Sequence, residues 1–336
     1  MNRSRDRVGI LLVNTGTPDE PTPMAVRRYL AQFLADPRVV DLPRWLWRPI
    51  LHGIVLRVRP RRSADRYRRI WTATGSPLLT ETLDLAEAVG RRLDREIPGT
   101  LVRAAMRYGS PSIPTGLAAL RAAGATRVVV LPLFPQTANA TTGSVLAATR
   151  AAAAALDPPL PLTELGGYHD DPGYLDALAA AVRAGWARSG PPGHTVVSFH
   201  GIPCRHDRRD GYAAQCRQTA EALAERLGLT PDEWTLTFQS RFGPGAWLGP
   251  ATRDVLAELG ERQRAGLGSA GRIDLLTPGF AVDCLETVDE LGTEAREHFE
   301  NSGGTDLFLH PCLGSGSGHA DALAHLLLPY VTEVTS

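Results

Sequence analysis

Short apolar runs alternate with longer helical stretches along this chain, and the series occurs twice, which leaves few folds open. The first series of strand candidates is Val8 to Asn14, Leu101 to Met106, Arg127 to Leu133 and Leu160 to Leu165. Helical patterns lie between and after them at Pro23 to Leu34, Thr80 to Arg95, Ile113 to Ala123, Thr142 to Leu156 and Pro172 to Ser189. The second series has strands at Thr195 to Phe199, Trp234 to Gln239, Arg272 to Thr277 and Asp306 to His310. Its helices are expected at Tyr212 to Leu227, Pro250 to Ala265, Asp283 to Asn301 and His319 to Val331. Runs such as Val8-Gly9-Ile10-Leu11-Leu12-Val13 have no polar alternation, as suits parallel strands buried on both faces. Strand followed by helix, repeated, predicts an α/β fold with helix-covered parallel sheets and right-handed crossovers.

The strand ends also correspond. VNTG matches SFHG, MRYGSP matches QSRFGP, and LPLFPQ matches LTPGFA, which predicts a duplicated, Rossmann-like half of four strands. Ser189-Gly190-Pro191-Pro192-Gly193 is the expected joint, giving halves 1–189 and 190–336 with a cleft between them.

Composition narrows the function. Thirty-six basic residues balance thirty-six acidic ones, so no charge excess points to nucleic acid. No apolar stretch is long enough to span a bilayer. Met1 to Arg7 is polar and leads directly into a strand, without a signal-peptide core, so a cytoplasmic protein is expected. Cys204, Cys216, Cys284 and Cys312 form no C-x-x-C pair, which argues against a zinc or iron–sulfur site. No strand-to-helix turn carries a glycine-rich dinucleotide or phosphate-loop pattern, so no nucleotide cofactor is expected.

Chemistry concentrates at the expected carboxyl edges of the sheets. His200 closes a strand and is followed by Gly201 and Pro203, which break the pattern. Asp283, Glu286 and Glu290 recur at helical spacing, and their ordinary reading is complementarity to a helix dipole. Opposite an imidazole, the same carboxylates suit a transient divalent metal or an acid–base pair. Trp247 is placed to wall a flat apolar ligand, or to anchor a loop. Tyr67-Arg68-Arg69 and Arg107-Tyr108 set cations beside aromatics, which suits an apolar ligand bearing carboxylates as well as ordinary surface charge.

Taken together, LLVNTGTPDEPTPMAVRRYL, FLADPRVV, RRSADRYRRIW with GSPLL, MRYGSPS, LPLFPQ with TTGSVL, SFHGIP, FQSRFG with WLGP, and PGFAVDCLET resemble the ferrochelatase family over nearly the whole chain. The resemblance implies Fe(II) as the substrate metal and a porphyrin as its acceptor. It implies His200 as proton acceptor, metal ligand or both. Glu286 is implied on the opposite side of the macrocycle, with Asp283 and Glu290 continuing the carboxylate path. Thr15, Tyr67, Ser76, Arg107, Tyr108 and Trp247 match positions lining the porphyrin pocket. The segment 42–58 resembles the family's lip, apolar and proline-broken, with weak peripheral membrane contact at most. A monomer is expected, and no [2Fe–2S] cluster, because the clustered cysteines of cluster-bearing members are missing. The resemblance favours insertion of iron into protoporphyrin. Coproporphyrin as the substrate, or a degenerate haem-binding relative without activity, are the alternatives. The family's Gly-Asp-Pro-Tyr turn is replaced by Cys204-Arg205-His206-Asp207-Arg208-Arg209-Asp210-Gly211-Tyr212, and its Ala-Leu-Asn by Cys312-Leu313-Gly314.

Overall fold

A computed structural model describes residues 7–241, 245–267 and 271–332. The first sheet contains β1 (Val8–Gly16), β2 (Leu101–Tyr108), β3 (Arg127–Pro132) and β4 (Leu162–Glu164), in the order β2-β1-β3-β4. The second contains β5 (His194–His200), β6 (Trp234–Gln239), β7 (Ile273–Leu276) and β8 (Leu307–Leu309), in the order β6-β5-β7-β8. Every pairing in both sheets is parallel. The two orders are the same permutation, as the repeat predicted.

The central strands are buried because each face meets a helix layer. On one face of the first sheet Leu11, Val13, Val128 and Val130 pack with Leu117, Leu120 and Val145 from the helices behind them. Val196, Ile273 and Leu275 form the matching core with Leu256 and Phe299 in the second sheet. Local signals start the helices where expected. Thr22 caps Pro23–Phe33 through the Ala25 amide (3.3 Å), and Asp171 caps Pro172–Ser189 through the Tyr174 amide (2.8 Å).

The compact units divide differently from the expected halves. One comprises the described residues up to Gly167 together with those from Ser315 onward, and the other is Tyr168–Gly314. Side chains set this boundary. Helix Pro172–Ser189 belongs with the second sheet, where Trp186 Nε1 donates to Asp274 Oδ2 at 2.8 Å. Asp274 also takes Arg272 Nε (2.6 Å) and pairs with His310 Nε2 (2.7 Å), joining β7 to the chain after β8. Arg272 reaches on to the Ser189 and Gly190 carbonyls, so the Gly-Pro stretch is a loop inside this unit. The last helix, Ser317–Thr332, joins the first unit, where Asp321 pairs with Arg92 and the Tyr330 carbonyl accepts from Arg127 (2.8 Å).

Two further expectations change. The 42–58 segment is helical throughout most of its length. Arg44–Ile50 leads through a π-turn, Leu51–Val55, into Leu56–Ile70. Pro49 and Pro60 lie inside these helices and do not end them. Leu51 and Leu56 are buried, whereas Trp45 is 78% exposed and Ile54 61%. No helix among the described residues is long and apolar enough to cross a membrane.

The second change concerns the repeat. In the first sheet the Met106 amide bonds the Pro111 carbonyl at 2.7 Å, and in the second the Phe238 amide bonds that of Pro250 at 2.8 Å. Pro250, rather than Pro244, is therefore the counterpart of Pro111. The second half thus runs seven residues longer between the bonded amide and carbonyl, and Phe242, Gly243 and Pro244 within that stretch lie outside the described residues.

Candidate active site

His200 is the last residue of β5, half-buried at the carboxyl edge of the second sheet. Its Nδ1 lies 2.8 Å from the Gly201 carbonyl oxygen. A carbonyl only accepts, so Nδ1 carries the proton, and in the neutral ring Nε2 holds the lone pair. The turn behind it requires glycine, because a Cβ on Gly201 would stand 2.6 Å from the Gln239 carbonyl oxygen. The chain after β6 then folds back onto this turn. Cys204 N donates to Ala246 O (2.9 Å), Leu248 N to Ile202 O (3.1 Å), and Pro203 and Trp247 form an antiparallel bridge. The seven-residue extension thereby places Trp247 against the histidine turn. Its Nε1 is buried without a hydrogen-bond partner among the described residues.

The carboxylates approach the same edge from β7, the neighbour of β5. The helix expected from Asp283 begins later and in another form. Glu286–Ala295 is π-helical, and Arg296–Asn301 is α-helical. π-Helical segments collect at functional sites. Asp283 stands ahead of it and accepts from Thr287 Oγ1 (2.8 Å) and the Cys312 amide (3.4 Å), so it anchors the start of the helix to the chain after β8. Glu290 accepts Ser240 Oγ at 2.7 Å. Ser240 has φ 64°, and apart from glycines it is the one described residue in the left-handed region. Such a backbone persists only where its surroundings hold it. Glu286 is half-buried beside Cys284, whose thiol is pushed well up by burial and by that carboxylate. Among the described residues no three histidine, cysteine or acidic side chains form a ready-made ion cage, the expected set His200, Asp283, Glu286 and Glu290 included.

Of the residues expected to line a pocket in the first half, several are occupied internally. Tyr108 is 2% exposed, and its hydroxyl donates to Asp36 Oδ2 at 2.9 Å. Arg107 Nη2 reaches the same oxygen (2.7 Å) and its Nε reaches Ser144 Oγ (2.7 Å). Ser144 Oγ also donates to Asp36, at 2.5 Å. Burial alone would raise the Asp36 carboxyl, but hydrogen bonds from Ser144, the Arg38 amide and Tyr108, with the Arg107 charge, hold it below its usual range. Burial raises the Tyr108 phenol strongly. Arg107 and Tyr108 thus direct these donors to a clamp around Asp36. Ser76 is likewise buried, accepting Thr17 Oγ1 at 2.9 Å. Tyr67 is buried edge-on to Tyr29 and Trp71. Thr15 remains half-exposed at the end of β1.

The ferrochelatase family model matches residues 7–329. A ferrochelatase from Thioalkalivibrio sulfidiphilus is 48% identical over 327 residues, covering 97% of this chain and 87% of that protein. One from Methylococcus capsulatus is 47% identical over 332 residues, covering 98% of this chain and 99% of that protein. The chain belongs to the ferrochelatase family. As a ferrochelatase it is a lyase-class metal chelatase of haem biosynthesis, with ferrous iron and a porphyrin as substrates. Among solved structures, SirB from Bacillus subtilis with Fe3+ aligns with TM-score 0.57 at 15% identity, over 98% of this chain and 97% of that one. CbiX, described as the terminal enzyme of sirohaem biosynthesis in denitrifying bacteria, aligns with TM-score 0.52 at 17% identity, over 96% and 98%. These two likenesses establish the chelatase fold for this ferrochelatase.

The two departures from the ferrochelatase pattern also have places in the structure. Cys204 opens a short helix, Cys204–Asp210, and Cys216 is sealed in the next one. Cys312 lies 3.6 Å from Thr277 Oγ1, beside the Asp283 anchor. Asp36, Ser144, Ser240 and Thr287 were given no role in the sequence reading, although all four lie inside the FLADPRVV, TTGSVL, FQSRFG and PGFAVDCLET pieces that carried the resemblance.

Proposed function

We propose that this ferrochelatase inserts Fe(II) into protoporphyrin IX, with His200 accepting the pyrrole protons and Glu286 standing on the metal's side. The observation that carries this is the His200 ring itself, with Nδ1 committed to the Gly201 carbonyl, which leaves Nε2 of the neutral ring as an acceptor. Two pyrrole N–H bonds must break before the nitrogens can hold a dication, so a positioned acceptor accelerates the slow step. Glu286 and Glu290, four apart on the π-helix, supply oxygen ligands that pass ferrous iron along without binding it tightly. Asp283 supports this path by holding the helix start. Trp247 and Thr15 are the proposed porphyrin contacts.

Purified protein, assayed anaerobically with Fe(II), should metallate protoporphyrin faster than coproporphyrin. Glu286→Gln should lower kcat on the order of a hundredfold. A strong coproporphyrin preference would reassign the substrate. Tight haem binding without insertion would make the chain a carrier.

The lip suits a peripheral membrane contact of a cytoplasmic protein. Trp45, Leu46, Ile54 and Val58 are exposed among arginines, a pairing suited to lipid headgroups and the upper acyl region. Co-sedimentation with anionic vesicles should be weak, lost in Trp45→Ala and reduced by salt. Salt-independent binding, or none at all, counts against the contact.

A further inference from the structure

Between Glu286 and Glu290 stands a buried hydroxyl that the chemistry above does not use. Thr287 is 1% exposed. Its Oγ1 accepts from the Cys284 amide at 2.9 Å and donates to Asp283 Oδ1 at 2.8 Å. The Cys284 carbonyl oxygen also lies 3.3 Å from it. A hydroxyl has one proton to give, and the shorter contact, to a carboxylate, takes it. The Cys284 carbonyl is served instead by the Val288 amide at 3.0 Å.

These bonds define a helix entrance. Leu285 already has helical backbone angles, φ −59° and ψ −38°. The Cys284 amide just ahead of it belongs to the group that finds no carbonyl one turn back. A side chain on the third helical residue that reaches back to such an amide fixes where the helix begins. Thr287 does this and also ties the entrance to Asp283. Asp283 Oδ1 takes the Cys312 amide as well (3.4 Å), and Gly314 N bonds Ala281 O (3.0 Å), so the tie extends to the chain after β8. Each helical residue turns roughly a quarter of the way around the axis or a little more, so the start sets the direction in which the early side chains leave. Glu286 is the residue immediately before Thr287.

We propose that Thr287 is a positioning residue for iron delivery, its hydroxyl holding Asp283 and Glu286 in one fixed relation along the carboxylate path. The hydroxyl itself touches neither iron nor porphyrin. Without it Asp283 loses a donor and the helix entrance loses its tie, so arriving Fe(II) meets the two carboxylates less often in register. The proposal rests on Asp283, Glu286 and Glu290 forming that path.

Three substitutions separate the hydroxyl from the shape. Thr287→Val keeps the shape without the hydroxyl, Thr287→Ala removes both, and Thr287→Ser keeps the hydroxyl. Anaerobic insertion would be measured across Fe(II) concentrations, with porphyrin Kd by fluorescence quenching and the melting temperature of each protein. Thr287→Val should raise the Fe(II) KM about tenfold, with kcat at saturating iron and porphyrin Kd within about twofold of wild type. Thr287→Ser should keep the wild-type KM. Should Thr287→Val fail to fold, Thr287→Ala reads the same rise. On an Asp283→Ala background, adding Thr287→Val should leave KM where Asp283→Ala alone puts it, because the hydroxyl acts through that carboxylate. A lower melting temperature with wild-type KM would mark a structural cap only and overturn the proposal. So would a loss confined to kcat, a KM in Thr287→Ser as high as in Thr287→Val, or multiplied effects with Asp283→Ala. Glu286→Gln at full rate would remove the carboxylate path and this proposal together. A slow Glu286→Gln beside a wild-type KM in Thr287→Val would remove the proposal alone.

Discussion

Replacing His200 by alanine is expected to lower kcat for iron insertion by roughly 10²- to 10⁴-fold while leaving porphyrin binding near wild type. The reason lies in the ring's fixed orientation. Nδ1 is tied to the Gly201 carbonyl, and Gly201 has no room for a side chain against the Gln239 carbonyl, so the turn does not drift. A positioned lone pair is worth more than the same imidazole free in water. The comparison of kcat with metal KM decides what that lone pair does. A base gives a fall in kcat at unchanged metal KM. A metal ligand gives a rise in metal KM, and that result would replace the proton-acceptor reading.

The second large effect concerns stability. Asp274→Ala should destabilise the second half by about 3–5 kcal/mol, because it leaves Arg272 and His310 as buried donors without their partner. A fall in melting temperature of roughly 10 °C is the measurable form. A shift of about a degree would mean that the cluster is ornamental. The effect should also depend on pH. Burial raises the Asp274 carboxyl, but hydrogen bonds from His310, Arg272 and Trp186 outweigh it and hold the group below its ordinary value. A depressed carboxyl leaves the unfolded chain binding more protons in acid. Its stabilisation is therefore complete above the unfolded pKa and drains away as pH falls through the folded one. The gap between wild type and Asp274→Ala should narrow below about pH 4.

All eight strands were legible because each is a short segment rich in apolar or β-branched residues, a signal contained within a few residues. His200 stood out at its strand end because Gly201 and Pro203 break the pattern after it, while a structural histidine was an equally good reading of that stretch alone. Leu56–Ile70 was not legible as a helix, because its seven arginines mask a narrow stripe made of Leu56, Pro60, Ala64, Tyr67 and Ile70. The Asp36 clamp was hidden for another reason. Its partners stand 71, 72 and 108 residues away, and no local pattern marks a carboxylate that will be met from such distances. The division of the chain failed likewise. A Gly-Pro stretch is a reasonable joint until an arginine eighty residues on takes hold of its carbonyls.

The extra residues between β6 and its helix give the duplication its sense. Two copies of one architecture begin with equal prospects. In the first, the strand end turned inward and was locked by an aspartate, a tyrosine and an arginine. In the second, a longer connection could wander without loosening the sheet, since the Phe238–Pro250 hydrogen bond re-enters the original plan. A doubled gene product of this kind has freedom to specialise.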